Sequence, residues 1–294
     1  MSLPVTVVYA TGIWVLAGLI QEGWWIQFGC FALSVFLMVE LNNSNALIRI
    51  HSRMVACTFL MLSCTACFLF SSLREAIGEL CIIASYLILF HTYQDRYSPG
   101  MTFYGFLCWG IASLTYAPLL FLLPALWGLM LTNLQTLSWR TFLASLIGVT
   151  VPYWFLLCWF FYQDDFTPLT TSLASLTDLR MPFAFSELDS HQIITAAFII
   201  LLAVLGILHF WQTSYQDKMR IRMLFGFFIR MDLLIILIFC IQPQHYDILI
   251  RLIIINTAPL IAHFIALTRQ RVTNILFCGI VILSIALTAY HLWM

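Results

Sequence analysis

Charge is what this sequence has least of. Lys and Arg number 13 and Asp and Glu 13 among 294 residues, 9% in all, against 62% hydrophobic residues and a mean hydropathy of +0.97. No soluble domain of this length buries so much apolar surface, so lipid is the solvent for most of the chain. A net charge of zero leaves no electrostatic footprint for a nucleic-acid partner. Low-complexity tracts, a convincing internal repeat and a stretch polar enough for a soluble domain are missing as well. No basic residue precedes the first apolar run, which predicts a retained first helix rather than a cleaved signal peptide. Cysteine is not scarce, but all nine lie inside apolar runs. Cys64-Thr-Ala-Cys67 has redox spacing with no His or acid beside it, so it reads as packing rather than redox or metal chemistry.

What is present is a series of apolar runs. The stretch from Met101 to Tyr153 shows the pattern best: an apolar helix to Tyr116, a tight turn at Ala117-Pro118, a second helix, a short loop with Arg140, and a third helix carrying Pro152-Tyr153. Along the whole chain about eleven such segments are readable, at 5–20, 24–39, 54–70, 76–92, 101–116, 117–132, 141–161, 193–211, 224–242, 248–267 and 275–293. The expected fold is an all-α polytopic membrane protein. It divides into a seven-helix module (1–161), an outer acidic loop (162–192) and a four-helix module (193–294).

The basic residues set an orientation. With the N-terminus cytoplasmic, the inner loops carry Arg49, Arg53, Arg96, Arg140, Lys218, Arg220, Arg222, Arg269 and Arg271. The outer loops carry only Arg74 and Arg180, while Arg230 and Arg251 fall within spans. That bias follows the positive-inside rule and puts the C-terminus outside. The outer face is acidic instead, with Glu22, Glu75, Glu79, Asp164, Asp165, Asp178, Glu187, Asp189 and Asp247. The one long loop also lies on that face; Phe183 and Phe185 give it an amphipathic piece expected to lie along the membrane surface.

Gly105-Phe-Leu-Cys-Trp-Gly110-Ile-Ala112, then Tyr116-Ala-Pro118, Leu122-Leu123-Pro124-Ala125-Leu126, Arg140 and Pro152-Tyr153 follow one another at helical intervals. This succession, within about residues 54–160, resembles the middle of the GT-C superfamily of integral-membrane glycosyltransferases. The chain also resembles a family of polytopic membrane proteins from Bacteroidota, in which an Asn-rich loop after the second helix precedes the same hairpin. Here Glu40-Leu-Asn42-Asn43-Ser44-Asn45 and Arg53 stand for that loop. The resemblances imply a bacterial inner membrane, a GT-C-like helical scaffold and a polyprenyl-phosphate-linked sugar or related envelope lipid as substrate. They also imply an aspartate in a long first outer loop as general base. This chain departs there: the loop is only Gln21-Glu22-Gly23, and Glu22 is its sole carboxylate.

Sugar transfer from a polyprenyl phosphate needs a carboxylate to deprotonate the acceptor and a cation to hold the departing phosphate. Glu22, beside Trp24-Trp25, and Glu75 are the candidate bases; each is equally at home as a solvated turn residue. Arg74, Arg251 and His245 are the candidate phosphate ligands. Arg74 and Glu75 also fit a plain ion pair, and Asp247 stands at i−4 from Arg251, where the two can pair along one helix. Adjacent Asp164 and Asp165 can hold Mg²⁺ or Mn²⁺, or simply cap a turn. The other six histidines have no clustered acid or cysteine and carry no metal expectation. Arg230 and Asp232 are charges inside the ninth span. At about 1.5 Å per residue from Arg222, Asp232 is about 15 Å deep, near the bilayer middle. Charges at that depth serve helix partnering or a substrate or proton pathway. Three functions follow: glycosyl transfer at the outer leaflet with the bilayer and a lipid-linked sugar as partners, secondary transport through Asp232 and Arg230, or a non-catalytic subunit of an envelope complex.

Overall fold

The computed structural model describes residues 2–50, 52–163, 188–267 and 271–293. Among these the chain is all-helical, without a strand, and forms α1 (Ser2–Leu16), α2 (Trp25–Asn45), α3 (Met54–Thr65), α4 (Leu73–His91), α5 (Pro99–Thr115), α6 (Leu123–Leu129), α7 (Trp139–Gln163), α8 (Ser190–Thr213), α9 (Met219–Ile241), α10 (Tyr246–Leu267) and α11 (Arg271–Trp293). Each falls on one of the eleven apolar segments. Seven helical stretches are long and apolar enough to cross a membrane: Trp25–Asn45, Ala117–Leu134, Trp139–Gln163, Ser190–Gln216, Met219–Ile241, Pro243–Leu267 and Thr273–Trp293. α1 and α3 are apolar but shorter. The protein is a multi-pass, all-α membrane protein. The segment 164–187, which contains Asp164, Asp165 and the expected surface loop, lies outside the described residues.

The helices form two compact units, one of α1 to α3 with α8 to α11, the other of α4 to α7. The grouping therefore cuts across a boundary near residue 161. The reason lies in α10. Its text, YDILIRLIIINTAPLIAHFIAL, is apolar on every face, and such a helix needs cover all round. Residues Ile248 to Phe264 are all buried, against α3, α8 and α9. Gly206 lets α8 come close: a Cβ there would sit 2.9 Å from Leu260 Cβ. α3 is nearly as deeply buried and also packs on α1, α2 and α11. Trp14 of α1 stacks on Phe70, just beyond α3, at 4.0 Å between ring centroids, with Phe28 and Phe31 of α2 each 5.5 Å from the same indole. Each such pair contributes about 0.5–1.5 kcal/mol beyond its area.

α2 runs six residues past the expected span end. Glu40 to Asn45 are helical, not loop, and the side chains of Ser44 and Asn45 fold back onto the helix carbonyls. Ser44 Oγ donates to Glu40 O (2.7 Å) and Asn45 Nδ2 to Leu41 O (3.1 Å). Ala46, at φ 47°, then closes the end with its N–H on Asn42 O.

In the other unit, α5 and α7 lie against each other through glycine. A Cβ on Gly110 would fall 2.9 Å from Val149 O, and one on Gly148 only 2.6 Å from Phe103 O. Tyr153 Oη donates to Ser113 Oγ (2.9 Å) across the same pair. The turn expected at Ala117-Pro118 is present: Tyr116 is extended, and a 3-10 stretch Ala117–Leu122 leads into α6.

Candidate functional site

Several of the buried polar groups of the first unit lie on α10 or against it. Asp232 lies thirteen residues after Met219 and nine before Ile241, in the middle of α9, and is fully buried. Thr257 of α10 donates Oγ1–H to Asp232 Oδ2 (3.1 Å), while Oδ1 meets no hydrogen-bond partner among the described residues. Asn256 is fully buried beside it; its Nδ2 donates to Leu252 O (2.8 Å) and its Oδ1 has no partner among the described residues. Pro259 follows two residues after Thr257 and has no N–H for Ile255 O, so the helical ladder is interrupted beside the carboxylate. Thr58 of α3 donates to Ala258 O (2.9 Å) at the same level.

Two turns further along, His263 lies on the same face of α10 as Asn256, about 10.5 Å away by helical rise. It is fully buried, its Nε2 is 3.1 Å from Asp217 Oδ2, and its Nδ1 has no partner among the described residues. Asp217, between α8 and α9, also accepts Arg49 Nε at 2.6 Å; its side chain is fully buried and that of Arg49 is 35% exposed. Arg49 Nη1 reaches Gln216 Oε1 (3.3 Å), and Arg220 Nη2 donates to Asn45 Oδ1 (2.9 Å). The links between α2 and α3 and between α8 and α9 are thus held to the same end of α10. His209 of α8 lies 5.8 Å from His263 by ring centroids.

No known family, curated protein or solved structure matches the chain. The site therefore has to be weighed on its own geometry.

The residues singled out for glycosyl transfer are distributed over both units. Glu22, His245 and Arg251 belong to the first, Arg74 and Glu75 to the second. Glu22 is an exposed turn residue whose Cγ would lie 3.6 Å from a Cβ on Gly18. Arg251 is buried and donates Nη2 to Leu69 O, satisfying a carbonyl of the 3-10 turn Cys67–Ser71. His245 Nε2 accepts from Gln244 Nε2 (3.0 Å). Arg74 and Glu75 are the first-turn residues of α4 rather than loop; Arg74 is exposed and Glu75 half-buried, near enough to the Tyr116 phenol to act on it electrostatically. Arg230 and Asp232 do not share a surface: Arg230 is exposed and Asp232 buried, as two-residue spacing on a helix requires. Among the described residues no three His, Cys, Asp or Glu side chains come together as metal donors; Asp164 and Asp165 are not among them.

The expectation that the remaining histidines lack an acid is corrected at His263, whose acid is 46 residues away in sequence. A signal was available. Asp217 is an acid immediately before Lys218, Arg220 and Arg222, in a loop otherwise rich in basic residues. His191 and His291 also come together, 5.6 Å apart and both edge-on to Phe68, with His291 Nε2 2.8 Å from Thr195 Oγ1.

Asp217→Ala leaves a buried imidazole without its acceptor and frees Arg49. We expect a loss of about 3 kcal/mol of stability, discounted for the partial exposure of Arg49 and read from thermal unfolding in detergent. A midpoint equal to that of wild type would show that the three-residue contact contributes little.

Proposed function

We propose that this protein is a secondary transporter of the bacterial inner membrane, coupled to protons through Asp232. The observation that carries the reading is a fully buried carboxylate in mid-helix with one oxygen held by Thr257 and the other unpartnered. A purely structural carboxylate in hydrocarbon would be expected to satisfy both oxygens, since an unmet buried acceptor is costly. Thr257 suits a group that changes protonation state, because its hydroxyl donates to Oδ2 whether or not Oδ1 carries a proton. Oδ1 is then the atom that takes and gives the proton. Pro259 lies next to it in an otherwise continuous helix and deprives the Ile255 carbonyl of its intrahelical donor.

The test is reconstitution into vesicles with a trapped pH indicator, scanned against lipid-linked sugars and small polar solutes. Proton movement that depends on one solute, and is lost in Asp232→Asn, supports the reading. Wild-type and Asp232→Asn vesicles that behave identically with the solute the protein moves would overturn it.

A second reading is transfer from a polyprenyl-phosphate-linked sugar, with a GT-C-like scaffold. It is favoured by Glu75, half-buried beside Tyr116, adjoining the exposed cation Arg74 at the start of α4. In that case Glu75→Gln and Arg74→Ala each remove transfer, while Asp232→Asn does not. Tolerance of all three substitutions would leave a non-catalytic subunit of an envelope complex.

A further inference from the structure

The first unit contains an apolar cavity of about 520 Å³ between α1, α3, α10 and α11. Its wall runs from Met54 to Leu62 on α3 and from Phe277 to Ile285 on α11, with Tyr9 of α1 and Ile261 of α10. The hydroxyls of Thr58 and Ser284, which also border it, are already spent on backbone carbonyls: Thr58 Oγ1 on Ala258 O and Ser284 Oγ on Ile280 O. What the cavity offers is almost entirely hydrocarbon, in the size range of a ligand pocket.

Its length and place say more. Met54 to Leu62 and Phe277 to Ile285 are eight steps each, about 12 Å of helix, against about 15 Å for half of a bilayer's hydrocarbon core. The cavity uses the start of α1 and α3, the last turns of α10 and the middle of α11, so on three of its four helices it lies toward the end of the unit where Arg49 meets Asp217. At that end Arg53 precedes α3. It is exposed, its carbonyl accepts Cys57 N–H (3.2 Å), and it stands at i−4 from Cys57 and i−8 from Met61, both in the wall. Arg53 thus directly precedes Met54, the first wall residue of α3, at the edge of the cavity. Lys218 and Arg222 are exposed at the same end, where the acid Asp217 is already taken by Arg49 and His263; Glu40 is the exposed acid in the last turns of α2.

We propose that this cavity binds one acyl chain of an anionic phospholipid from the leaflet on the basic side, with the lipid phosphate at Arg53. An apolar slot one leaflet deep fits a single chain. A cation over its mouth selects an anionic headgroup by charge, as basic residues near a bilayer surface do. This site is independent of Asp232 and of the transport reading.

The experiment is native mass spectrometry of the full chain released from bilayers containing equal phosphatidylcholine and phosphatidylglycerol. One phosphatidylglycerol per chain is expected to remain bound. Ile280→Trp, at a half-exposed position, fills the cavity and removes the retained lipid. Arg53→Gln keeps chain binding but lowers the preference for phosphatidylglycerol roughly fivefold. Asp232→Asn leaves retention unchanged, which separates the lipid site from the transport site. Val281→Phe serves as the second filling variant should the first be unstable. Equal retention of the two lipids, retention unaffected by both filling variants, or displacement of phosphatidylglycerol by a polyprenyl phosphate would each overturn the assignment.

Discussion

Asp232→Asn abolishes proton-coupled transport and leaves the protein at least as stable as wild type. The side chains are nearly the same shape, and an amide oxygen still accepts from Thr257, whose hydroxyl is 3.1 Å away. What disappears is the group able to take a proton. An acid at the middle of a membrane helix costs about 2.5–3.5 kcal/mol on insertion scales, so the neutral isostere relieves part of that cost. A thermal midpoint unchanged or raised by about 2–4 °C is expected. Thr257→Val acts in the opposite direction. It removes the one hydrogen bond found for the carboxylate, and we expect a loss of about 1–3 kcal/mol. The two substitutions touch the same contact, so their effects should not add when combined. The pattern distinguishes a coupling group from a structural one. If Asp232 only held α9 to α10, the asparagine variant, which keeps the Thr257 hydrogen bond, would keep transport. Thermal unfolding alongside vesicle uptake for the four proteins settles the matter.

The second large effect is expected in the other unit. Gly148→Ala should destabilise it by about 2–3 kcal/mol, although alanine in a helix is intrinsically favoured by about 1 kcal/mol. The sign is decided by distance. The added methyl would lie 2.6 Å from Phe103 O and 3.1 Å from Leu107 N, both backbone atoms that cannot turn aside. Helices in lipid gain little from transfer out of water and hold together by close packing, so a forced separation of α5 and α7 costs contacts along the whole pair. Gly128→Ala is the internal control. Nothing lies within 4 Å of a Cβ there, and the variant should be neutral or slightly stabilised. Denaturation in mixed detergent micelles gives both values; equal behaviour of the two variants would mean that α5 and α7 do not approach as closely as described.

Helix positions were largely legible from the apolar runs, since nothing else gives a chain twenty-residue stretches with almost no charge. Their ends were less so. Asn42 to Asn45 look like loop because polar residues usually leave a membrane helix, yet here Ser44 and Asn45 hydrogen-bond to their own helix and prolong it. Asp232 was visible as a charge among Met, Leu and Ile. Its partner was not, since Thr257 is one hydroxyl among many and becomes special only when α9 lies on α10. His263 was passed over for the same reason: its acid comes from another loop. The grouping of helices was the least readable feature, because an apolar run announces a membrane segment without saying which neighbour it will meet.

That grouping has a consequence for how the chain is made. α3 is covered by α10 and α11, yet the ribosome finishes α3 at residue 65 and does not begin α10 until residue 246. At about 5–20 residues per second, those 180 intervening residues take on the order of ten seconds or more to synthesise. During that time α1 to α3 must remain in the bilayer with their later neighbours replaced by lipid, while α4 to α7 can already assemble among themselves. The unit that carries Asp232 is therefore the last to be completed, and a chain released early would have a finished α4 to α7 beside an open set of three helices.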